Sequence, residues 1–213
     1  MSLAVVGTGT EVGKTVVSAL VMAKYGRASG LTYWKPVATG AREDRDVVTV
    51  ERLSGGRVRE ETYSFPEPLS PHLAARLAGE QIDPERVLAA FEDDGRLVVE
   101  GVGGVLVPLN DDGYLLADLL AEMRLPSLLV ALSTLGTINH TLLTLEALRK
   151  RGLGIVGVVL NGPQNPENRL AIERFGKVEV VGEVPRLEPL TAEALAAAAA
   201  RFDPEAILAG CFR

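Results

Sequence analysis

The sequence predicts an α/β protein whose mostly parallel sheet is covered by helices on both faces. Three observations predict it. Apolar, strand-sized runs alternate with helical segments along the chain. The first run passes straight into a Gly/Thr-rich turn and a helix. The 213 residues, 47% hydrophobic and 5% aromatic, suffice for one domain with an aliphatic core. No internal repeat or long linker divides it, so residues 1–213 read as a single domain.

Leu3–Gly7 is the first strand, and Val16 to Ala28 after the turn reads as a helix. Leu31–Lys35 is the second strand. Thr39–Arg45 and Glu61–Ser70 read as irregular polar stretches suited to loops around a site, with a helical Val47–Leu53 between them. Further strands are expected at Leu97–Glu100, Ser127–Leu132, Ile155–Asn161 and Val178–Gly182. Asp83-Pro84-Glu85, Asn165-Pro166-Glu167 and Asp203-Pro204-Glu205 each supply a cap, a first-turn proline and an acidic first turn, so each predicts a helix start. Thr191 opens an Ala-rich helix running to Arg201. In an open parallel sheet the site lies at the carboxyl ends of the strands, which directs attention to the residues after each run.

After the first strand comes Gly7-Thr-Gly-Thr-Glu-Val-Gly-Lys-Thr15. Loop N–H groups and the positive helix end face one point there, a cradle for a polyphosphate. Lys14 would reach the β- and γ-phosphates, and the Thr15 hydroxyl would take one Mg²⁺ position. The motif departs from G-x-x-x-x-G-K-[ST], because Thr8 stands where the first Gly belongs. A nucleoside triphosphate ligand follows. The alternative is a plain glycine turn with Lys14 solvated.

The other strand ends supply Lys35, Glu100 and Asn161. Glu100 stands in the place of a carboxylate that holds Mg²⁺, since a charge ending a buried strand calls for a cation; it could instead be exposed beyond the strand. Asp46 is a second possible metal ligand or an ordinary helix cap. Lys35, held extended by Pro36, is presented either to a second anion or to solvent. Asn161 could read a base edge. Leu135–Thr141 enters a helix whose free N–H groups could hold a carboxylate, with Thr137 or Asn139 as plain caps otherwise. His72 and His140 carry no assigned role.

The net charge of -6 and the lack of a Lys/Arg run argue against nucleic acid. No run is long enough to span a membrane, and the chain opens on a strand rather than a signal peptide. A single cysteine, Cys211, forms no internal disulfide and suits a reducing cytosol.

Together with Lys35-Pro-Val-Ala-Thr-Gly40, Ser70-Pro-His72, Glu100-Gly-Val-Gly-Gly104, Pro108-Leu109, Leu135-Gly-Thr-Ile-Asn-His-Thr141 and Gly182-Glu-Val-Pro185, the phosphate loop makes this chain resemble the dethiobiotin synthetases from about residue 3 to residue 187. The resemblance implies a P-loop NTPase-like fold and a cytoplasmic homodimer with no nucleic-acid or membrane partner. It implies a Mg²⁺- and ATP-dependent cyclo-ligase that joins CO₂ to 7,8-diaminononanoate, giving dethiobiotin, ADP and phosphate. Carried across, Glu11, Val12, Gly13, Lys14, Thr15 and Val16 wrap the ATP phosphates, and Thr15, Asp46 and Glu100 hold Mg²⁺. Lys35, with Lys14, is catalytic, and Thr39 meets the diamine or its carbamate. Gly101, Val102 and Gly103 line the nucleotide, while Asn161, Gly162, Pro185, Arg186 and Leu187 border adenine. Gly136, Thr137 and Asn139 receive the substrate's tail carboxylate near the dimer interface. Thr39 replaces a more usual Ser, Val102 a common Ala, and the short loop after Lys35 leaves Asp44 as a rival to Asp46.

Two competing readings stand beside this one. A partition- or positioning-type ATPase switch would usually carry a lysine where this chain has Gly9. An amide-forming ligase on another carboxylate would call for a glutamine-hydrolysing part, for which one late cysteine is poor support.

Overall fold

The computed structural model of the chain describes residues 2–41, 45–91, 96–203 and 205–212. In chain order the elements are β1 (Leu3–Gly7), α1 (Lys14–Val21), a π-turn (Met22–Gly26), α2 (Arg27–Ser29), β2 (Thr32–Trp34), β3 (Val37–Thr39), α3 (Asp46–Ser54), β4 (Arg57–Arg59) and β5 (Tyr63–Phe65). There follow α4 (Pro71–Leu77), α5 (Pro84–Ala90), β6 (Leu97–Glu100), α6 (Leu116–Glu122), β7 (Ser127–Leu132), α7 (Thr137–Lys150), β8 (Ile155–Asn161), α8 (Pro166–Gly176), β9 (Val180–Val184), α9 (Ala192–Arg201) and a 3₁₀ turn (Leu208–Phe212). Seven strands form one parallel sheet in the order β4-β2-β6-β1-β7-β8-β9.

Side chains alternate across a strand, so each strand feeds two cores. Ala4, Val6, Val99, Leu129 and Leu160 join the cluster that Leu116, Leu120 and Leu145 complete from α6 and α7. Leu3, Val5, Tyr33, Val98 and Leu128 join the other, covered by Val17 and Leu20 of α1, Val50 of α3 and Leu195 of α9. The chemistry described below lies on this second face. β1 is central; chain order runs from it towards β2 and β4, then back through β6 to β7, β8 and β9. That reversal places the crevice at the carboxyl ends of β1, β6 and β2.

The predicted α/β class holds, and six expected strands lie where the apolar runs fall. The differences are local. The first helix begins at Lys14, two residues early, because left-handed Gly13 (φ 95°) is its cap, and it widens into a π-turn at Met22–Gly26 before ending at Gly30. The last strand is Val180–Val184, not Val178–Gly182: Lys177 turns through φ 46°, and pairing of Val158 with Val180 sets the register. Pro185, not Glu183, therefore follows the strand. The second irregular stretch contains β5, and the first begins at the last residue of β3; β3 and β5 pair in parallel as a small second sheet. Its start is fixed where the Pro36 carbonyl accepts from Thr62 N and Tyr63 N at 2.9 and 3.0 Å.

Asp83 and Asn165 cap α5 and α8 through their side chains, and Thr191 caps α9. Asp203 does not start an α-helix. Its backbone is left-handed, and its buried carboxylate accepts from Ile207 N and Leu208 N at 2.9 Å each and from the Tyr25 hydroxyl at 2.5 Å. Those bonds tie the 3₁₀ turn to the π-turn instead. Among the described residues, no helix is long and apolar enough to cross a membrane.

Candidate active site

Strand and helix periodicity bring five polar side chains to one point. Thr15 and Ser18 lie one turn apart on α1, Tyr33 lies on β2 with Lys35 two residues on, just past the strand end, and Glu100 ends β6 on the same face as Val98. The Glu100 carboxylate is wholly buried yet fully bonded. Its Oε1 accepts from Thr15 Oγ1 and Lys35 Nζ, each at 3.0 Å, and its Oε2 from Ser18 Oγ at 2.8 Å and Tyr33 OH at 3.0 Å. Asp46, the first residue of α3, completes the cluster: Oδ1 lies 2.6 Å from Thr15 Oγ1 and shares that hydroxyl's one proton with Glu100 Oε1, and Oδ2 accepts from Lys35 Nζ at 2.5 Å.

Lys35 is therefore no solvated lysine; it is 7% exposed and bridges two carboxylates. Burial disfavours its charge, but Glu100 and Asp46 outweigh that and hold its pKa above the ordinary lysine value. Burial likewise opposes ionisation of Asp46, and Lys35 with the Thr15 hydroxyl reverses the effect, leaving its carboxyl below the usual range. Asp46 is not the helix cap, a position held by Arg45. Asp44 lies outside the described residues. Burial, beside the Glu100 carboxylate, pushes the Tyr33 hydroxyl well above its ordinary value.

The phosphate loop is built as its motif requires. Gly13 has φ 95°, and a Cβ there would meet Asn161 Nδ2 at 2.0 Å. A Cβ on Gly7 would meet Val12 Cγ2 at 2.7 Å. Glu11 is exposed at φ 59°, Val12 is buried, and Val16 is half-buried on α1. Asn161 Nδ2 donates to the Val12 carbonyl at 3.0 Å, so this amide braces the loop from the end of β8. Lys14 is buried as well, donating to the Gly9 carbonyl at 2.8 Å. Burial, with Lys35 adding to it and Glu100 opposing, lowers its pKa to about 8.

We expect Gly13→Ala to weaken nucleotide binding at least about tenfold, because left-handed strain and the clash with Asn161 each distort the loop. Titration of a fluorescent ATP analogue would read this; unchanged affinity would mean the loop tolerates a side chain.

A cavity of about 710 Å³ opens over the cluster, lined by Lys14, Thr15, Lys35, Thr39, Asp46, Glu100, Val102 and Gly103 and by Pro68–Pro71 opposite. Gly101 is buried beneath it against Leu116. The remaining predicted residues lie elsewhere. Thr137 lines a separate cavity of about 310 Å³ across the loop with Thr8, Gly9 and Thr10; it is buried, while Gly136, the left-handed cap of α7, and Asn139 are exposed. Pro185 and Leu187 line a third cavity of about 480 Å³ along β9 and α9, and Arg186 is exposed in an ion pair with Glu188 at 2.5 Å. Gly162 continues from Asn161, its N–H donating to the Val184 carbonyl at 2.8 Å. Ser18 and Tyr33 escaped the sequence reading. Their signal was spacing, three residues after Thr15 and two before Lys35.

Among the described residues no three His, Cys, Asp or Glu side chains cluster as a metal site. The convergence of the Thr15 hydroxyl with the carboxylates of Asp46 and Glu100 is nevertheless a hard-oxygen set that fits Mg²⁺, which takes one or two carboxylates and fills its shell with phosphate and water.

Sheet order, loop and site together define a P-loop nucleotide-binding protein. Residues 1–194 match a family described as an AAA domain. The chain is 47% identical over 193 residues to the ATP-dependent dethiobiotin synthetase BioD of Paramagnetospirillum magneticum, covering 90% of this chain and 91% of that protein. It is 47% identical over 192 residues to the BioD of Agrobacterium fabrum, covering 89% and 88%. The chain belongs to the ATP-dependent dethiobiotin synthetase family and is an enzyme. Among solved structures, a ParA family ATPase from Chlorobium tepidum aligns with TM-score 0.56 at 13% identity over 99% of this chain and 96% of that one. The cell division ATPase MinD of Pyrococcus furiosus gives 0.55 at 19% identity over 99% and 94%. At those identities the likeness establishes the shared fold.

Proposed function

We propose that this chain carboxylates and cyclises 7,8-diaminononanoate with CO₂ in an ATP- and Mg²⁺-dependent reaction, giving dethiobiotin, ADP and phosphate. The carrying observation is the cavity in which Lys14, Thr15, Lys35, Asp46 and Glu100 converge at one wall while Thr39 and Pro68–Pro71 leave room for a second anion. In this reading an amine of the substrate adds to CO₂ with loss of a proton, giving a carbamate. A carbamate oxygen then attacks the γ-phosphorus, the bond to ADP breaks, and a carbamic-phosphoric anhydride forms. The second amine attacks that carbonyl and gives up a proton, phosphate departs with the electron pair of the breaking C–O bond, and the urea ring closes.

Phosphoryl transfer is mostly positioning and charge neutralisation, and this chain's residues are of the right kind. Glu11 to Val16 wrap the phosphates. Lys14 neutralises the γ-phosphoryl oxygens, and Lys35 the carbamate. Thr15, Asp46 and Glu100 would hold Mg²⁺, which when bound neutralises charge on the phosphate oxygens. Thr39 orients the carbamate, and Gly101, Val102 and Gly103 line the nucleotide. Asn161, Gly162 and Pro185 to Leu187 border adenine, and Gly136, Thr137 and Asn139 receive the tail carboxylate in the cavity across the loop. A homodimer and a cytoplasmic home fit the family's biosynthetic role.

Purified protein with labelled bicarbonate, ATP, Mg²⁺ and the diamine should yield labelled cyclic urea, with phosphate release dependent on both bicarbonate and diamine. ATP hydrolysis needing neither would overturn the reading in favour of a nucleotide switch.

A further inference from the structure

Lys35 holds the same oxygens that a divalent cation would need. Its ammonium bonds Asp46 Oδ2 and Glu100 Oε1, the latter also accepting from Thr15. Without Lys35, two carboxylates bridged by one hydroxyl would face each other in a buried site, an arrangement that repels. A divalent cation held by Thr15, Asp46 and Glu100 would compete with Nζ for these carboxylates, and its charge would repel the ammonium.

The backbone at Lys35 has little freedom. Lys35 precedes a proline, and the Pro36 carbonyl is fixed by two N–H donors. The side chain does have freedom: four methylenes end at the cavity wall, and the same cavity reaches Thr39 and Ser70.

We propose that Lys35 is the resident counter-ion of the metal-free site and is exchanged for the divalent cation, which turns its ammonium from Asp46 and Glu100 into the substrate cavity. The exchange rests on the reading that Thr15, Asp46 and Glu100 take Mg²⁺. It makes one lysine serve two anions in succession. The carboxylates are neutralised before the metal arrives, and the carbamate meets a free ammonium only after it has arrived. Metal loading is thereby coupled to the competence of the substrate half of the site.

The test uses the full chain without nucleotide, with Mn²⁺ as probe followed by electron paramagnetic resonance, and thermal melting in chelator. Lys35→Met should bind Mn²⁺ at least about tenfold more tightly than the natural protein, since no ammonium has to leave. Its metal-free form should melt earlier, and Mn²⁺ should restore the loss. Lys35→Arg, which keeps the charge, should return the Mn²⁺ affinity towards the natural value. Equal or weaker Mn²⁺ binding by Lys35→Met, with Mn²⁺ bound by the natural protein, would overturn the exchange and leave the metal site standing. No Mn²⁺ binding by any form, even with ADP, would overturn the exchange together with the metal reading. Should Lys35→Met fail to fold, the lysine Cε–H signal of the natural protein decides: Mg²⁺ with ADP should move the Lys35 resonance, and an unmoved resonance overturns the proposal.

Discussion

Lys14→Met should be more stable than the natural protein at pH 7 and turn over at least a hundredfold more slowly. The stability gain comes from the cost of holding Lys14 charged. Burial strips its ammonium of water; Glu100 and Asp46 more than offset the repulsion from Lys35 but not the burial, so its pKa falls from 10.5 to about 8. The unfolded chain therefore holds this proton more tightly than the folded one. Below about pH 8 the penalty is present in full, on the order of 3 kcal/mol at 1.36 kcal/mol per pKa unit. As pH rises from about 8 to about 10.5 the unfolded state binds more protons than the folded state, and stability rises with pH.

Met fills a similar volume without charge and carries no such slope. Denaturant titrations should show the variant ahead by up to about 3 kcal/mol at pH 7, with the gap closing by about pH 10.5. A variant less stable at pH 7, or a gap independent of pH, would refute the account. Under the proposed function, the same buried charge is what the polyphosphate recovers on binding. Removing it takes away transition-state neutralisation worth about 10²–10³ in turnover, a direct conflict between stability and activity.

How far the sequence disclosed this site depended on which interactions were local. The phosphate loop was legible because glycines, Lys14 and Thr15 sit within a few residues, and Gly13 does adopt the left-handed geometry that only its kind tolerates without strain. The apolar runs gave six strands of the sheet because a parallel strand buries both faces. Short strands such as β3, β4 and β5, three residues each, lack enough residues for a pattern to emerge. Asp203 carried every local mark of a helix start, yet its carboxylate is claimed by Tyr25, 178 residues away. The pairing of Lys35 with Asp46 and Glu100 was hidden for the same reason. Residue type and the neighbouring proline placed Lys35 at the strand mouth, but whether it faced solvent or carboxylates depended on where α3 packs, which no short stretch of sequence records.

That dependence on assembly is sharpest at Glu100, and Glu100→Ala should lower stability by at least about 3 kcal/mol, a large fraction of what a domain of this size commonly has. The truncation leaves the Ser18 and Tyr33 hydroxyls without their acceptor beside α1 and removes one of the two anions that Lys35 faces. Glu100→Gln separates charge from shape. Its amide oxygen can serve Thr15 and Lys35, and its NH₂ can donate to Ser18 and Tyr33, whose hydroxyls also accept, whereas the ammonium of Lys35 cannot. The Gln variant should therefore lose less, about 1–2 kcal/mol, while losing the negative charge that a divalent cation requires. A double-mutant cycle makes the network itself measurable. In the natural background Tyr33→Phe should cost about 1–2 kcal/mol, because it removes a buried bond to a charged acceptor. In the Glu100→Ala background the same change should cost close to nothing, since the hydroxyl it deletes has already lost its acceptor. Additive losses would mean that Tyr33 steadies the core by packing alone, and that Glu100 is held by Ser18, Thr15 and Lys35 without it.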